Sequence, residues 1–249
     1  MEDRKVAVVT GGSGDIGRAI CLEFARQGYA IAFTYMRSYE SARQLERELR
    51  DVGVPVLSAK AQLANAHDIA ALFDNIEKEY GRVDCLVNNA ASGVQRWAND
   101  MTEKHWNWTH DVNVKAPWLC SVAASKLMWS GGSIVNISSL GSSRVLPYYV
   151  AVGTSKAALE SLTRYLAVEF STLNIRVNAV SGGVVKTDAL NHFPNKDYME
   201  TISEERTPAG RLVSPDDIAK VTWFLSSDDA WMIRGQVLIV DGGYSLVGI

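Results

Sequence analysis

The sequence predicts one α/β domain, residues 1–249, in which a doubly wound parallel sheet of about seven strands carries helices on both faces. Short apolar runs rich in β-branched residues alternate with longer amphipathic segments along the whole chain. Polar residues do not alternate with apolar ones inside these runs, which indicates strands buried on both faces, as in a parallel sheet. No linker rich in Pro, Gly or Ser divides the 249 residues, and an α/β domain of roughly 250 residues folds as one unit.

Each strand is predicted from one apolar run, and most of the helices from the amphipathic segments between these runs. The first run, residues 6–10, leads into a glycine-rich turn and a helix at 16–27. The remaining strands are predicted at residues 30–35, 54–60, 85–88, 132–138, 175–180 and 237–240, and the remaining helices at 39–52, 65–80, 102–129, 155–170 and 214–225. Ligands of such sheets bind beyond the carboxyl ends of the strands, so the loops that follow the strands are predicted to carry the function. The least regular stretch, residues 186–208, follows a strand and is a candidate lid.

Composition excludes several other classes of protein. Apolar residues make up 47% of the chain and charged residues 21%, which argues against disorder, collagen and coiled coil. Lys and Arg number 25 against 28 Asp and Glu, so the net charge of −3 lacks the basic excess of a dedicated nucleic-acid binder. No signal peptide is expected, and no apolar run approaches the roughly 18 residues of a membrane span. The three cysteines, Cys21, Cys85 and Cys120, are too few and too widely spaced for a disulfide framework, which favours the reducing cytoplasm. Together with the charge and the short apolar runs, this predicts a cytoplasmic protein that binds neither nucleic acid nor membrane.

A glycine-rich loop connects the first strand to the first helix and is predicted to bind a pyrophosphate. Gly12, Gly14 and Gly17 match the pattern GxGxxG in the required strand–turn–helix context. Glycines permit a tight turn and a close approach of the backbone, and the start of the helix offers free N–H groups to phosphate. The predicted contacts of this loop are Gly11, Ser13, Gly14, Asp15 and Ile16.

The end of the second strand predicts which dinucleotide binds. NAD-dependent enzymes usually place a carboxylate there, which binds the ribose hydroxyls. Here Arg37 and Ser38 follow the strand, with no acid, and Arg is a planar donor suited to a 2′-phosphate. The sequence therefore predicts NADPH rather than NADH; the alternative is that Arg37 is a solvated residue at the start of a helix.

Three further segments make a resemblance specific. Asn88, Asn89 and Ala90 close the fourth strand, Ser139 ends the fifth, and Lys156 stands seventeen residues beyond Ser139. Together with the glycine-rich loop and with Asn113, these segments resemble the short-chain dehydrogenase/reductase family over essentially the whole chain. The resemblance implies a single-domain Rossmann fold and a homotetramer or homodimer.

The same resemblance implies the rest of the nucleotide site. It implies that Lys156 binds the ribose on the nicotinamide side. The other residues implied to bind the cofactor are Asn89, Ala90 and Ala91 along the nucleotide, Gln62 and Leu63 beside the adenine, and Gly183, Val185 and Thr187 near the nicotinamide. One departure lies in the loop, where Asp15 replaces the second glycine of the family and is suited to cap the helix.

The catalytic segment departs from the ordinary family pattern YxxxK. That pattern requires Tyr at position 152, but the residue is Val152, and Tyr149 stands seven positions before Lys156. A Tyr–Lys separation of seven resembles the enoyl-acyl-carrier-protein reductases within the family, most closely the NADPH-dependent FabL type. Ser139 keeps the position that it has in ordinary members, where the commoner enoyl reductases carry a second Tyr.

The chemistry of an enoyl thioester explains this spacing. In YxxxK the two side chains are about 6 Å of helical rise apart, and the Tyr hydroxyl meets the carbonyl on the carbon that exchanges hydride. In a 2-enoyl thioester hydride enters the β-carbon, while negative charge develops on the thioester oxygen two carbons away. The donor must therefore be displaced, and Pro147 and Gly153 place Tyr149 at the entry of its helix rather than inside it.

The predicted catalytic residues are Tyr149, Lys156 and Ser139. Tyr149 donates to the developing enolate oxygen, while Lys156 keeps a positive charge nearby that is expected to lower the pKa of the phenol. Ser139 positions the thioester or Tyr149, and Asn113 is structural. Tyr148 competes with Tyr149 for the donor role. Trp106, Trp108 and Trp118 are predicted to pack or to contact another subunit.

The substrate implied is a 2-enoyl group of fatty acid elongation on an acyl carrier protein or coenzyme A, and two alternatives stay open. The chain could be a 3-oxoacyl-thioester or other carbonyl reductase of the same family, or a nucleotide-binding sensor without catalysis. No His spacing suggests a metal site. A basic entry for an acidic carrier protein is predicted at Arg96, Lys186, Lys196, Arg206 and Arg211.

Overall fold

A computed structural model describes residues 4–187, 201 and 203–247. All seven strands are parallel and form one sheet in the order β3-β2-β1-β4-β5-β6-β7. Their bounds are β1 Val6–Val9, β2 Ala30–Tyr35, β3 Val56–Lys60, β4 Cys85–Asn88, β5 Gly132–Ser139, β6 Ile175–Gly182 and β7 Val237–Val240. The prediction of a seven-stranded, doubly wound parallel sheet is confirmed.

Helices cover both faces of the sheet. The α-helices of the described chain discussed below are α1 Asp15–Arg26, α2 Tyr39–Val52, α3 Ala66–Tyr80, α4 Glu103–His110, α5 Ala116–Ser125, α6 Val150–Glu169 and α7 Pro215–Ser226. Side-chain caps begin three of them: Asn65 at α3, Thr102 at α4 and Ser214, with a capping box, at α7. These oxygens satisfy N–H groups that the first turn of a helix leaves free.

Two apolar cores result, one on each face of the sheet. The first packs α1 and α7 against the sheet through residues such as Ile20, Phe24 and Ile218. The second packs α3, α5 and the end of α6 on the opposite face, with Phe73 and Leu166 among its members. Successive residues of a strand point to opposite faces, which is why the strands are apolar throughout.

Two predicted helices differ from the structure. The segment predicted as one helix at 102–129 is divided by a π-helical turn, Asp111–Lys115, and its last helix ends at Ser125. The helix predicted at 155–170 begins five residues earlier, at Val150, and Tyr149 is its N-terminal cap residue. The apolar periodicity of the sequence does not mark either boundary. The wide π-turn interrupts the helical pattern after α4, and Gly153 interrupts it near the start of α6.

The strand order sets the position of the functional site. After β1 the chain builds β2 and β3 on one side and then crosses to β4 on the other side of β1. The loops after β1 and β4 therefore diverge at the carboxyl edge of the sheet and leave a crevice, where open α/β sheets bind ligands.

The candidate lid, residues 186–208, lies largely outside the described residues. Within the described ranges, no helix combines the length and the apolar character that crossing a membrane would require.

Candidate active site

A cleft of about 570 Å³ opens at the carboxyl edge of the sheet, above β1–β4. It is lined by residues of four successive loops and by Thr187. The predicted cofactor contacts that line it are Gly11, Ser13, Gly14, Asp15, Ile16, Arg37, Ser38, Gln62, Leu63, Asn89, Ala90, Ala91 and Thr187. The fold therefore brings most of the residues predicted to bind the cofactor together in one cleft.

The glycine-rich loop is a tight cradle that side chains would fill. Gly11 has φ +66°, in the left-handed region that glycine tolerates. A Cβ on Gly17 would lie 2.3 Å from the Gly11 carbonyl oxygen and 2.7 Å from Nδ2 of Asn89. Gly14 caps α1, so the free N–H groups of that helix face the cleft. This backbone cradle at a helix N-terminus fits the pyrophosphate of a dinucleotide.

Two threonines hold this cradle against β2 and β4. The Thr34 hydroxyl accepts a hydrogen bond from the Gly11 N–H at 2.9 Å. The Thr10 hydroxyl accepts from the N–H groups of Asn89 and Ala90 at 3.0 Å each, and the Asn89 amide donates to Thr10 O at 2.9 Å. Neither threonine was predicted to belong to the site, because the partners of both are remote in sequence.

The wall beyond β2 carries the residues predicted to choose the cofactor. Arg37 and Ser38 are exposed and line the cleft, and no hydrogen bond or ion pair joins the Arg37 guanidinium to the described part of the chain. Among the described lining residues Asp15 is the only acid. The wall beside Arg37 therefore presents a cation, not the carboxylate that pairs with ribose hydroxyls.

Two predicted contacts after β6, Gly183 and Val185, are not among the residues that line the cleft. The Gly183 N–H donates to Val240 O at 3.0 Å, and a Cβ at this position would lie 2.9 Å from the Asp241 side chain. Val185 pairs with Val213 and packs against the first core. In the described structure these two residues support the loop that carries Thr187.

Tyr149 lies at the entry of α6 and faces Ser139, the last residue of β5. Its hydroxyl forms a hydrogen bond with Ser139, and its ring packs on the backbone of Gly141. Burial raises the pKa of Tyr149, and the Ser139 hydrogen bond opposes part of that rise. The prediction that the pKa of this phenol is lowered is wrong, because burial, the largest cause of the shift, raises it, and the contact that opposes the rise is Ser139 rather than Lys156.

Tyr148 points to a different place. Its backbone has φ +63°, a left-handed conformation that turns its side chain away from that of Tyr149. Its ring lies 4.6 Å, between ring centres, from Trp97, and its carbonyl accepts from the Arg96 N–H at 3.0 Å. Tyr149, not its neighbour, is therefore the tyrosine that meets Ser139.

Val152 occupies the helix position where ordinary members of the resembling family carry Tyr. It is 6% exposed and packs so closely on Gly93 that a Cβ there would lie 2.2 Å from Cγ2 of Val152. The space in front of position 152 is thus filled by an aliphatic contact, and no hydroxyl is presented from it.

Lys156 is buried on α6, about one turn beyond Val152. Its Nζ donates to Ile137 O at 2.7 Å, and burial lowers its pKa to about 8. The carboxylate of Glu160 opposes this shift, and the Ser138 hydroxyl donates to that carboxylate at 2.5 Å. Glu160 was not among the predicted site residues, although its place four residues after Lys156 puts both on one helix face.

Asn113 is buried in the π-turn and joins three segments. It accepts from the Ser92 N–H at 2.8 Å and donates to Ser92 O and to Ser155 Oγ at 2.9 Å each. The Trp108 indole N–H in turn donates to Ser92 Oγ at 2.5 Å, and Trp108 lines the cleft. Asn113 is structural, as predicted, whereas Trp108 is a wall of the cleft in addition to its packing.

A second cavity, of about 410 Å³, is lined by Tyr149. Arg96, Trp97 and the segment from Gly141 to Tyr149 surround it. Tyr149 therefore faces a partly apolar cavity large enough for an acyl group, whereas it is not among the residues that line the nucleotide cleft.

One residue of the predicted basic entry, Arg211, is already paired with an acidic side chain. Arg211 binds Asp217 through two contacts, at 2.6 and 2.9 Å, so its charge is already matched. Arg96, Lys186 and Arg206 are exposed, and Lys196 lies outside the described residues. Within the part of the chain that the structure describes, no group of three or more His, Cys, Asp or Glu could hold a metal ion.

Comparison with known proteins relates the chain to oxidoreductases that act on different substrates. Residues 12–245 match the family described as enoyl-(acyl carrier protein) reductase. A 1-cyclohexenylcarbonyl-CoA reductase of Streptomyces collinus is 37% identical over 246 residues, covering 98% of this chain and 88% of that protein. The 3-oxoacyl-(acyl-carrier-protein) reductase FabG of Staphylococcus aureus is 32% identical over 245 residues, covering 98% and 99%.

The fold is also similar to solved structures. A 7α-hydroxysteroid dehydrogenase in complex with NADH and 7-oxo glycochenodeoxycholic acid aligns with a TM-score of 0.91 at 30% identity, covering 97% of this chain and 94% of that chain. The similarity in fold therefore spans nearly the whole chain.

Proposed function

The chain belongs to the short-chain dehydrogenase/reductase family of oxidoreductases, which bind a nicotinamide cofactor, and we propose that it is an enoyl-thioester reductase that uses NADPH. The observation that carries this proposal is the position of the phenol. Tyr149 meets Ser139 from the helix entry, while position 152 is an aliphatic residue packed on Gly93.

The chain's own residues account for the reduction of a conjugated double bond. NADPH, when bound, supplies the hydride, which enters the β-carbon of the enoyl group. Tyr149 donates a hydrogen bond to the thioester oxygen as charge develops there, and the α-carbon then takes a proton from water to complete the saturated thioester. Because burial raises the pKa of Tyr149, the phenol keeps its proton at neutral pH and can act as a donor.

Two relatives bear on the choice of substrate. A 1-cyclohexenylcarbonyl group carries its double bond next to the thioester carbonyl, so the name of the Streptomyces relative describes this kind of reaction. The FabG relative, by its name, reduces a 3-oxo group instead. Ser139, at its ordinary family position, favours the second candidate, a carbonyl reductase.

An assay of the purified protein with paired substrates tests the proposal. We expect NADPH to be oxidised with crotonyl thioesters of acyl carrier protein or coenzyme A, at least tenfold faster than with the matching acetoacetyl thioesters. The reverse ratio would support carbonyl reduction. Calorimetric binding of NADPH without turnover of either substrate would support a nucleotide-binding sensor.

NADPH preference is expected to depend on Arg37. Replacing it by Ala removes a charge-assisted hydrogen-bond donor, worth about 1.5–3 kcal/mol, so the preference for NADPH over NADH should fall by about 10- to 100-fold. The measurement is kcat/KM for both cofactors. Arg47→Ala, an exposed substitution on α2 outside the cleft, is the control and should leave the ratio unchanged. A wild-type enzyme that prefers NADH would contradict the assignment.

The affinity for NADPH is expected to fall at alkaline pH. Lys156 is proposed to hold the cofactor ribose as a cation, and its pKa of about 8 means that this cation is lost above that pH. One pH unit above the pKa, at pH 9, the free enzyme should bind NADPH about tenfold more weakly than at pH 7.

A carboxylate substitution tests the cause of that fall. Glu160 supports the charge on Lys156, so Glu160→Gln should move the decline in NADPH affinity to lower pH. Glu169→Gln, an exposed change on the same helix, should leave the profile unmoved. Coincident profiles of the Glu160→Gln variant and the wild type, measured by fluorescence titration, would show that another group titrates.

The partner and the assembly are part of the same proposal. Exposed Arg96 borders the second cavity, and its charge suits an acidic carrier protein or the phosphates of coenzyme A. Exposed Trp106, Trp118 and Tyr165 on α4, α5 and α6 support a homotetramer or homodimer. The three thiols are buried and free, which suits the reducing cytoplasm.

A further inference from the structure

Gly141 touches both hydroxyl-bearing residues of the site, and we propose that it is the positioning residue that holds Tyr149 against Ser139. It lies in the short turn Leu140–Ser142, which follows β5 directly. The inference rests on the proposed role of Tyr149 and adds the feature of the chain that fixes its hydroxyl.

The backbone of Gly141 fixes Ser139. Its N–H donates to Ser139 Oγ at 3.2 Å, and this bond leaves the serine hydrogen available for a further partner. The orientation of Ser139 therefore depends on where the turn places a single N–H group.

The open face of Gly141 carries the ring of Tyr149. A Cβ at this position would lie 2.5 Å from Cε1 and 2.6 Å from Cδ1 of the ring, much less than a van der Waals contact. The φ of Gly141 lies outside the left-handed region, so an alanine would meet no backbone strain and would act only through the ring. The absence of a side chain is what lets the ring lie flat on the turn.

Gly153 keeps the turn close to α6. A Cβ on Gly153 would lie 2.7 Å from the Gly141 carbonyl oxygen, and its N–H donates to Tyr149 O at 2.7 Å. The two glycines thus form a slot, defined by Gly141 and Gly153, in which the ring can occupy only one place. Any side chain at 141 must move the ring and its hydroxyl away from Ser139.

Gly141→Ala tests the slot directly. Because a displacement of about 1 Å at a reacting group costs up to about 100-fold in rate, we expect kcat to fall by about 10- to 100-fold. NADPH affinity should stay within about twofold, since the slot lies outside the nucleotide cleft. Ser171→Ala, an exposed substitution after α6 that borders neither cavity, is the control and should keep the wild-type kcat.

A double-mutant cycle separates positioning from general damage. In the Tyr149→Phe background there is no hydroxyl to misplace, so adding Gly141→Ala should change the residual kcat by less than about twofold. Equal losses in both backgrounds, or a wild-type kcat for Gly141→Ala alone, would overturn the proposal.

Two further outcomes are distinguishable. If Gly141→Ala does not fold, Tyr149→Ala/Gly141→Ala should fold and bind NADPH because the clash is with the ring; a pair that also fails would refute the slot. If the wild type reduces ketones rather than enoyl thioesters, the proposed function fails, and the same cycle measured on the ketone still decides the role of Gly141.

Discussion

Tyr149→Phe is expected to lower kcat for the enoyl thioester by about 100- to 1,000-fold, the range that one donor at a developing oxyanion supplies. The phenol is the hydroxyl that the structure places with Ser139, and Tyr149 lines the second cavity. Phe keeps the ring on Gly141 and removes only the donor. NADPH affinity should therefore remain within about twofold of the wild type, as measured by fluorescence titration.

Tyr148→Phe is the matched control for this experiment. The ring of Tyr148 packs on Trp97, and its backbone carbonyl accepts a hydrogen bond from the Arg96 N–H, so neither contact uses the hydroxyl. Loss of that hydroxyl should therefore leave kcat unchanged. A large loss in the Tyr148 variant together with a small one in the Tyr149 variant would exchange the roles of the two residues and contradict the proposed mechanism.

Gly17→Ala is expected to weaken NADPH binding by at least about 100-fold, the equivalent of one or two charge-assisted hydrogen bonds. Its Cβ would lie 2.3 Å from Gly11 O and 2.7 Å from Asn89 Nδ2, so the cradle must open and its N–H groups must leave the phosphate. The overpacking should also cost about 1–3 kcal/mol in the free energy of unfolding. Isothermal titration of NADPH and thermal unfolding measure the two effects.

Gly14→Ala provides the comparison within the same loop. Gly14 has φ −83° and ψ 165°, which alanine adopts readily, and the nearest atom to its Cβ would be Gly11 O at 3.7 Å. We expect NADPH affinity to change by no more than about threefold. Similar losses at positions 14 and 17 would mean that any methyl group in the loop excludes the phosphate, and the cradle geometry would not be the cause.

The sheet was predictable because burial on both faces marks its strands in the sequence itself. The runs at β2, β4 and β7 have the predicted bounds, and the others differ by a few residues at most. The break at Asp111–Lys115 was not predictable, since its cause is the pairing of Asn113 with Ser92 and Ser155, which lie 21 and 42 positions away. Local periodicity carries no record of such long-range hydrogen bonds.

The sequence by itself determined the parallel sheet, the glycine-rich loop and the absence of Tyr at position 152, because each is a local pattern of residue types. Tertiary structure alone decided which of two adjacent tyrosines meets Ser139, through the left-handed backbone of Tyr148 and the bare face of Gly141. Tertiary structure also set the pKa of the phenol. Burial, which depends on every segment packed around a group, raises the pKa of Tyr149, whereas the sequence pattern had indicated a cation that lowers it.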